Sequence, residues 1–273
     1  RLRDRGFGPP CGRRGARDGS HKVSFVIVVG AFDDLGSPDL RFLQEASRDG
    51  PLRVLVWSDA AVLRQTGSAP VFPEQERLYL AQSIRWVAEA YLADAGTGGL
   101  PDEKWLSGVA AWAFRENDVS DAALSFCARH DIKPILVPEL ALAGFPKIEP
   151  YPDSQTQSVV VTGCYDKLHS GHVRFFEESS AYGRLYVGVG SDATIRGLKG
   201  AGHPMLPEAE RLYDVACVRF VHEAFISSGS GWLDAAPDIE RIQPDFYVVN
   251  DDGDRAEKRA FCKDRGIEYV VLK

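Results

Sequence analysis

The chain of 273 residues has a single methionine, Met205, and begins with Arg1. No apolar run approaches the roughly 18 residues that a membrane-spanning helix needs, so a membrane span is excluded. Residues 1–20 also lack the apolar stretch of a secretory signal. Positive charge is scarce: 32 Lys and Arg face 39 Asp and Glu, a formal net charge of −7. That balance argues against a nucleic-acid partner, which calls for a basic surface, but suits a small anionic ligand held by a few placed cations. The five cysteines, Cys11, Cys127, Cys164, Cys217 and Cys262, are odd in number and form no Cys-x-x-Cys pair. A disulfide framework and a zinc knuckle are therefore not expected, and a reducing, cytoplasmic compartment is.

What is present supports a packed core: 44% of residues are hydrophobic and 26% charged. At about 150 residues per domain, the length allows one large domain or two small ones. Residues 1–21, rich in Arg and Gly, are expected to be a disordered basic tail, with a nucleic-acid or anionic-lipid arm as the alternative. Without a methionine at its start, the chain is expected to be processed or a fragment.

The sequence contains itself twice. Residues 26–60 match 159–193 at 17 of 35 positions with an offset of 133, and 69–92 match 203–226 at 11 of 24 with an offset of 134. A duplicated unit is the direct reading. It predicts domains at 22–145 and 158–273, joined by a stiff surface linker at 146–157 that holds Pro146, Pro150 and Pro152.

Each unit opens with a β-branched run, Val26–Val29 or Val159–Thr162, that predicts a buried strand. A helical pattern (Leu40–Ser47; Val173–Ala181) and a second strand (Leu52–Trp57; Leu185–Gly190) follow. A Ser-Asp pair then reads as a helix cap, and a further helix is expected to begin at Pro73 or Pro207. In the second unit Asp245–Val249 and Glu268–Leu272 predict two more strands around a helix at Arg255–Asp264. Strands alternating with helices imply an α/β fold: two tandem Rossmann-like units with parallel sheets. Ligands of such sheets lie at the carboxyl ends of the strands.

The turn after Val159–Thr162 reads Gly163-Cys164-Tyr165-Asp166-Lys167-Leu168-His169-Ser170-Gly171-His172. Two histidines three apart share one face of a helix start. Gly171 admits a close ligand, and the helix N-terminus suits phosphate. Imidazoles there can donate to phosphate oxygens as charge develops. Two alternatives stand beside this: ordinary exposed histidines, or a metal pair, for which no third ligand is evident.

The segment closely resembles the G-x-[FY]-D-x-x-H-x-G-H signature of the cytidylyltransferase-type nucleotidyltransferases, a superfamily that includes glycerol-3-phosphate, phosphocholine and phosphoethanolamine cytidylyltransferases. The tandem layout resembles that of the last. The resemblance implies a reaction joining CTP and a small phosphomonoester to give a CDP-conjugate and pyrophosphate, with Mg²⁺ accompanying the triphosphate. It implies that His169 and His172 hold the triphosphate and its transition state, and that Lys199 contacts phosphate. Thr162, Gly163, Cys164, Tyr165, Gly171, Gly190, Asn250 and Asp252 are the expected nucleotide contacts. Asp166 reads either as a turn-former or, by resemblance, as a residue near the acceptor and metal. The loop Ser227–Gly231 reads as a ligand loop or a plain turn. Family members continue into an Arg/Ser/Thr-rich segment beyond the last strand. The chain stops at Lys273, so truncation is expected there too.

The first unit keeps Asp33, Ser37, Arg41, Asp59, Arg77 and Arg85, but has Gly36, Pro38, Asp39 and Gln65 in place of His169, Gly171, His172 and Lys199. It therefore reads as a degenerate, inactive copy in which Trp57, in place of Gly190, fills the groove. Asp59 and Asp192 are expected as helix caps, and Arg77, Arg211, Arg85 and Arg219 as structural ion partners. The two units are expected to pack as an intramolecular pseudo-dimer, with Asp39–Phe42 beside His172–Phe175; a homodimer of the whole chain is a further possibility. Rival readings are an adenylyltransferase of the same superfamily and a non-catalytic nucleotide-binding scaffold.

Overall fold

A computed structural model describes residues 24–273, so the tail expected at 1–21 and Cys11 lie outside the described residues. Val26–Val28 and Val159–Val161 are almost wholly buried on both faces. Strands of that kind need helices on both sides, and the chain supplies them. The first half runs β1 (Phe25–Gly30), α1 (Ser37–Ala46), β2 (Leu52–Trp57), α2 (Asp59–Thr66), α3 (Glu74–Gln82), β3 (Val87–Ala93), β4 (Val109–Arg115), α4 (Asp121–Arg129) and β5 (Lys133–Val137). The second runs β6 (Ser158–Gly163), α5 (Ser170–Ser180), β7 (Arg184–Val189), α6 (Asp192–Lys199), α7 (Glu208–Ala216), β8 (Val221–Ile226), α8 (Ala236–Ile242), β9 (Phe246–Asn250), α9 (Ala256–Arg265) and β10 (Glu268–Leu272). No helix among the described residues is long and apolar enough to cross a membrane.

Each half is a five-stranded parallel sheet of the same order, β3-β2-β1-β4-β5 and β8-β7-β6-β9-β10. The order reverses beside β1 and β6, which opens a crevice at the carboxyl ends of the strands. The edge strands β3 and β8 were not among the elements expected from sequence. The helices end at Gln82 and Ala216, and the following β-branched and aromatic stretch pairs with β2 and β7. Pro73 and Pro207 are N-caps rather than first helical residues. Ser58 and Ser191, not Asp59 and Asp192, cap α2 and α6, each hydroxyl accepting from the backbone N–H three residues on.

The halves share an apolar core and meet around a pseudo-twofold axis. Ile84 and Val218, equivalent positions, form an antiparallel bridge. On either side Arg85 N–H donates to Cys217 O at 3.0 Å and Arg219 N–H to Ser83 O at 2.9 Å. The Arg85 and Arg219 side chains are not the ion partners expected from sequence. They donate to main-chain oxygens across the interface, Arg85 to Val221 and Arg219 to Ile84 and Val87. Helix α1 packs on α7 and α5 on α3. Asp39–Phe42 and His172–Phe175, expected side by side, lie on helices whose main contacts across the interface are with the α3-type helix of the opposite half. The segment expected as a stiff surface linker is tied to both halves: Tyr151 N–H donates to His222 O at 2.7 Å, and Arg85 donates to Glu149 O at 2.8 Å.

The interface contains one conflict. Asp214 on α7 occupies the place that Leu80 fills on α3, and its Oδ1 is buried without a hydrogen-bond partner. Burial and the nearby Glu210 charge push its carboxyl up to about 7. A carboxyl whose pKa is raised by folding favours the folded state most below its unfolded value and loses that contribution as pH rises through the folded one. Replacing Asp214 with Leu is therefore expected to stabilise the protein by about 1–3 kcal/mol at pH 8, the cost of an unpaired buried polar group. The gain should shrink as pH falls towards 4. Urea denaturation of both proteins at pH 8 and pH 5 measures this, and no gain at pH 8 contradicts it.

Candidate functional site

The crevice of the second half is framed by a buried guanidinium. Arg211, 0% exposed, donates from Nε to Leu206 O (3.0 Å), from one terminal nitrogen to Cys164 O (2.7 Å) and from the other to Asp192 (2.7 Å). It thus joins the turn after β6, the loop before α7 and the first turn of α6. Tyr165 has a φ of 51° and is buried. A Cβ on Gly163 would lie 2.7 Å from the Tyr165 ring, so glycine is what lets that ring fold back beneath the turn. Asp166 accepts from Met205 N–H (2.6 Å) and Leu206 N–H (3.0 Å) and pairs with His203 (3.1 Å). Burial raises its pKa, but these hydrogen bonds and Arg211 outweigh that and hold it below the ordinary value. Asp33 accepts from Val71 and Phe72 in the same way in the first half. Asp166 therefore holds the turn and also lines the groove.

The two histidines stand at the start of α5. His169 is the N-cap, and its Nδ1 accepts from Gly171 N–H at 3.1 Å. With that lone pair engaged, the neutral ring carries its proton on Nε2. The His169 and His172 rings stack, 3.9 Å between centroids and 25° between planes. Burial first, and then the charge of His169 alongside, lower the His172 pKa to about 4, so it is neutral at pH 7. Gly171 does not line the crevice itself: a Cβ there would fall 2.9 Å from His169 Cε1. Glycine therefore leaves room for the His169 ring to lie back over the helix end. Gly190 is likewise a packing position, where a Cβ would lie 2.7 Å from Ile195. Lys199 ends α6 and has no carboxylate within 4 Å among the described residues; its charge acts on both Cys164 and His172.

These residues bound an open groove of about 620 Å³ together with Thr162, Gly163, Cys164, Tyr165, Asp166, Asn250 and Asp252. The structure thus brings together every sequence-expected site residue except Gly171 and Gly190, which support it from behind. Sequence reasoning missed the opposite wall. Lys258, 6% exposed, reaches the Thr162 hydroxyl at 3.4 Å, and burial lowers its pKa against the opposing pull of Asp234. Thr162 in turn bonds Tyr247 at 2.8 Å. Arg255 lies over the half-exposed Trp232 ring, 4.5 Å from its centroid. A signal for Lys258 did exist: a lysine in the first turn of a helix opposes the helix dipole.

In the first half the same crevice, about 530 Å³, has changed character. Asp39 replaces His172; burial raises its pKa, and Arg115 pairs with it at 2.9 Å. Trp57 lines the groove rather than filling it, its ring 3.2 Å from where a Cβ on Gly99 would stand. Helices α2 and α6 both stop at the residue before a glycine cap, so the counterpart of Lys199 is Thr66, and not Gln65. Among the described residues no three His, Cys, Asp or Glu side chains cluster to hold a metal. The carboxylates of the second groove stand singly, a donor set that suits Mg²⁺ only as an ion held mainly by a ligand's own phosphate oxygens.

Comparison with known proteins bears on this groove. A family model described as cytidylyltransferase-like matches residues 160–261. The bifunctional protein HldE of Geotalea uraniireducens is 46% identical over 107 residues, 39% of this chain and 21% of that protein. The chain spans only about a fifth of the HldE protein's length. An FAD synthase of Methanohalophilus mahii is 33% identical over 118 residues, 42% of this chain and 79% of the relative. Among solved structures, a lipopolysaccharide core biosynthesis protein from Thermoplasma volcanium is 27% identical, with a TM-score of 0.38, covering 43% of this chain and 96% of that one.

The clearance around Gly171 yields a test. Gly171→Ala is expected to displace the His169 ring and shift the imidazole resonances of both histidines in NMR spectra. Because alanine is the better helix former by about 1 kcal/mol, stability should hold or rise slightly. Unchanged resonances contradict the packing argument.

Proposed function

The chain belongs to the cytidylyltransferase-like family of nucleotidyltransferases, and from that premise we propose that its second half joins a nucleoside triphosphate, CTP, to a small phosphomonoester with release of pyrophosphate. The observation that carries this reading is the stacked imidazole pair at the N-terminus of α5, facing Lys199 across one groove. A phosphate oxygen of the acceptor attacks the α-phosphorus in line, and the P–O bond to pyrophosphate breaks. The protein orients both reactants and donates to the oxygens that gain charge. His169 and His172 are donors at the helix end, where the dipole favours negative charge. Lys199 supplies a cation with no carboxylate within 4 Å among the described residues. Mg²⁺, carried by the triphosphate, supplies further charge neutralisation. The four described cysteines are free, which suits a reducing, cytoplasmic setting.

The first half has an acid, Asp39, where the second has His172, and the Arg115 that pairs with it is already engaged. We assign it no catalysis. A second reading has ATP as donor, supported by relatives named FAD synthase, a product that contains an adenylyl group.

His172→Ala is expected to lower kcat by ~10²–10³, the loss of one preorganised donor, with little change in melting temperature because the ring faces a groove and not the core. Near-normal turnover refutes the role. Calorimetric titration should find one triphosphate site per chain; two equal sites would contradict a degenerate first half. With CTP and ATP at equal concentration, pyrophosphate release and product mass identify the donor. Consumption of ATP alone replaces the first reading with the second.

A further inference from the structure

The catalytic turn is not held by its own half alone. Ser170, between the two histidines and first in α5, donates its hydroxyl to Glu76 Oε1 of the first half at 2.6 Å. Three residues earlier Lys167 pairs with Asp34, also of the first half, at 2.8 Å. The pseudo-twofold generates the mirror contact: Ser37, first in α1, donates to Glu210 Oε1 at 2.5 Å. Two further pairs flank these, Tyr79 with Glu177 (2.7 Å) and Tyr213 with Gln44 (2.9 Å). So each half grips the first turn of the other's helix with one carboxylate. Only one of those turns carries histidines.

We propose that Glu76 of the degenerate half is a positioning residue for the histidine site of the other half. Ser170 is one residue after His169 and two before His172. In a helix start, fixing that hydroxyl fixes the rotation of the first turn about its axis, and with it both imidazoles. Preorganised donors act only when held in place, and misplacement by about 1 Å costs ~10²-fold in rate. The degenerate half thus has a reason to keep its α3 while its own phosphate residues have changed.

The inference rests on the nucleotidyl-transfer reading, and the duplication supplies its control. In the full chain, Glu76→Ala and Glu210→Ala remove equivalent interface hydrogen bonds, and both should lower the melting temperature, Glu210→Ala by less because it also relieves the repulsion with Asp214. Only Glu76→Ala should lower kcat, by about 10–100-fold, with KM for the triphosphate changing less. Glu76→Gln keeps an oxygen acceptor for Ser170 and should restore most of the activity. Equal kcat in both alanine variants overturns the proposal while leaving the transfer reading intact. A wild-type chain that turns over neither CTP nor ATP overturns the transfer reading instead. In that event the imidazole resonances of His169 and His172 decide the positioning role: they should shift in Glu76→Ala and stay put in Glu210→Ala, and any other pattern overturns it.

Discussion

The buried guanidinium of Arg211, with its twin Arg77, is the constraint on which both grooves depend. Each is 0% exposed and uses its nitrogens on two carbonyl oxygens and one carboxylate. A buried charge is tolerated only when paired and fully hydrogen-bonded. Here the pairing pulls three separated segments to one point: the turn after the first strand, the acid that opens the α2 or α6 helix, and the loop leading to α3 or α7. Once those are joined, the crevice at the strand ends has fixed walls. Asp33 and Asp166 then hold the loop from its other side. The frame is the same in both halves, which makes it a property of the fold and not of catalysis.

Function enters where the halves differ. Histidine at the N-cap requires glycine two residues on, because the ring occupies the space of a Cβ; the first half has glycine at the cap and accommodates proline there. His172 is neutral and Asp39 is charge-paired, so one helix end is open to an anion and the other carries an acid. The pseudo-axis shows the same division of labour. In a true dimer the residues at Asp34 and Lys167 would be identical and meet their own charge; in the tandem chain they have become an ion pair. Such an exposed pair contributes at most about 1 kcal/mol, but it favours the intramolecular partner.

Charge in the groove of the second half is balanced by placement and not by amount. A chain of net charge −7 presents to this groove Lys199, Lys258 and Arg255, with the helix end of α5 between them. Asp166 is occupied by backbone amides. Asp234 is buried, which raises its pKa, and partly offsets Lys258. Lys199, Lys258 and Arg255 share the groove with Asp166, Asp234 and Asp252, so a few placed cations, and not a basic surface, are what this acidic molecule offers a phosphate.

Much of this was legible in the chain itself. The repeat, the burial of the Val159–Val161 strand, the Ser-Asp pairs at the helix starts and the Gly163–His172 turn are local patterns, and local patterns set strands and helix starts. The edge strands β3 and β8 were not legible, because a short β-branched stretch after a strong helix carries no helix-or-strand period of its own; only its pairing with β2 or β7 settles it. Lys258 joined the site through a β-strand and helix that return to β6 from more than eighty residues away. The roles of Arg85 and Arg219 depended on carbonyls of the opposite half. Residue types and spacing along the chain determined which chemistry was on offer, since those are covalent facts. Which half holds the other's helix, which carboxylate is already spoken for and which lysine faces the groove were decided by the tertiary structure, since each depends on contacts between segments distant in sequence.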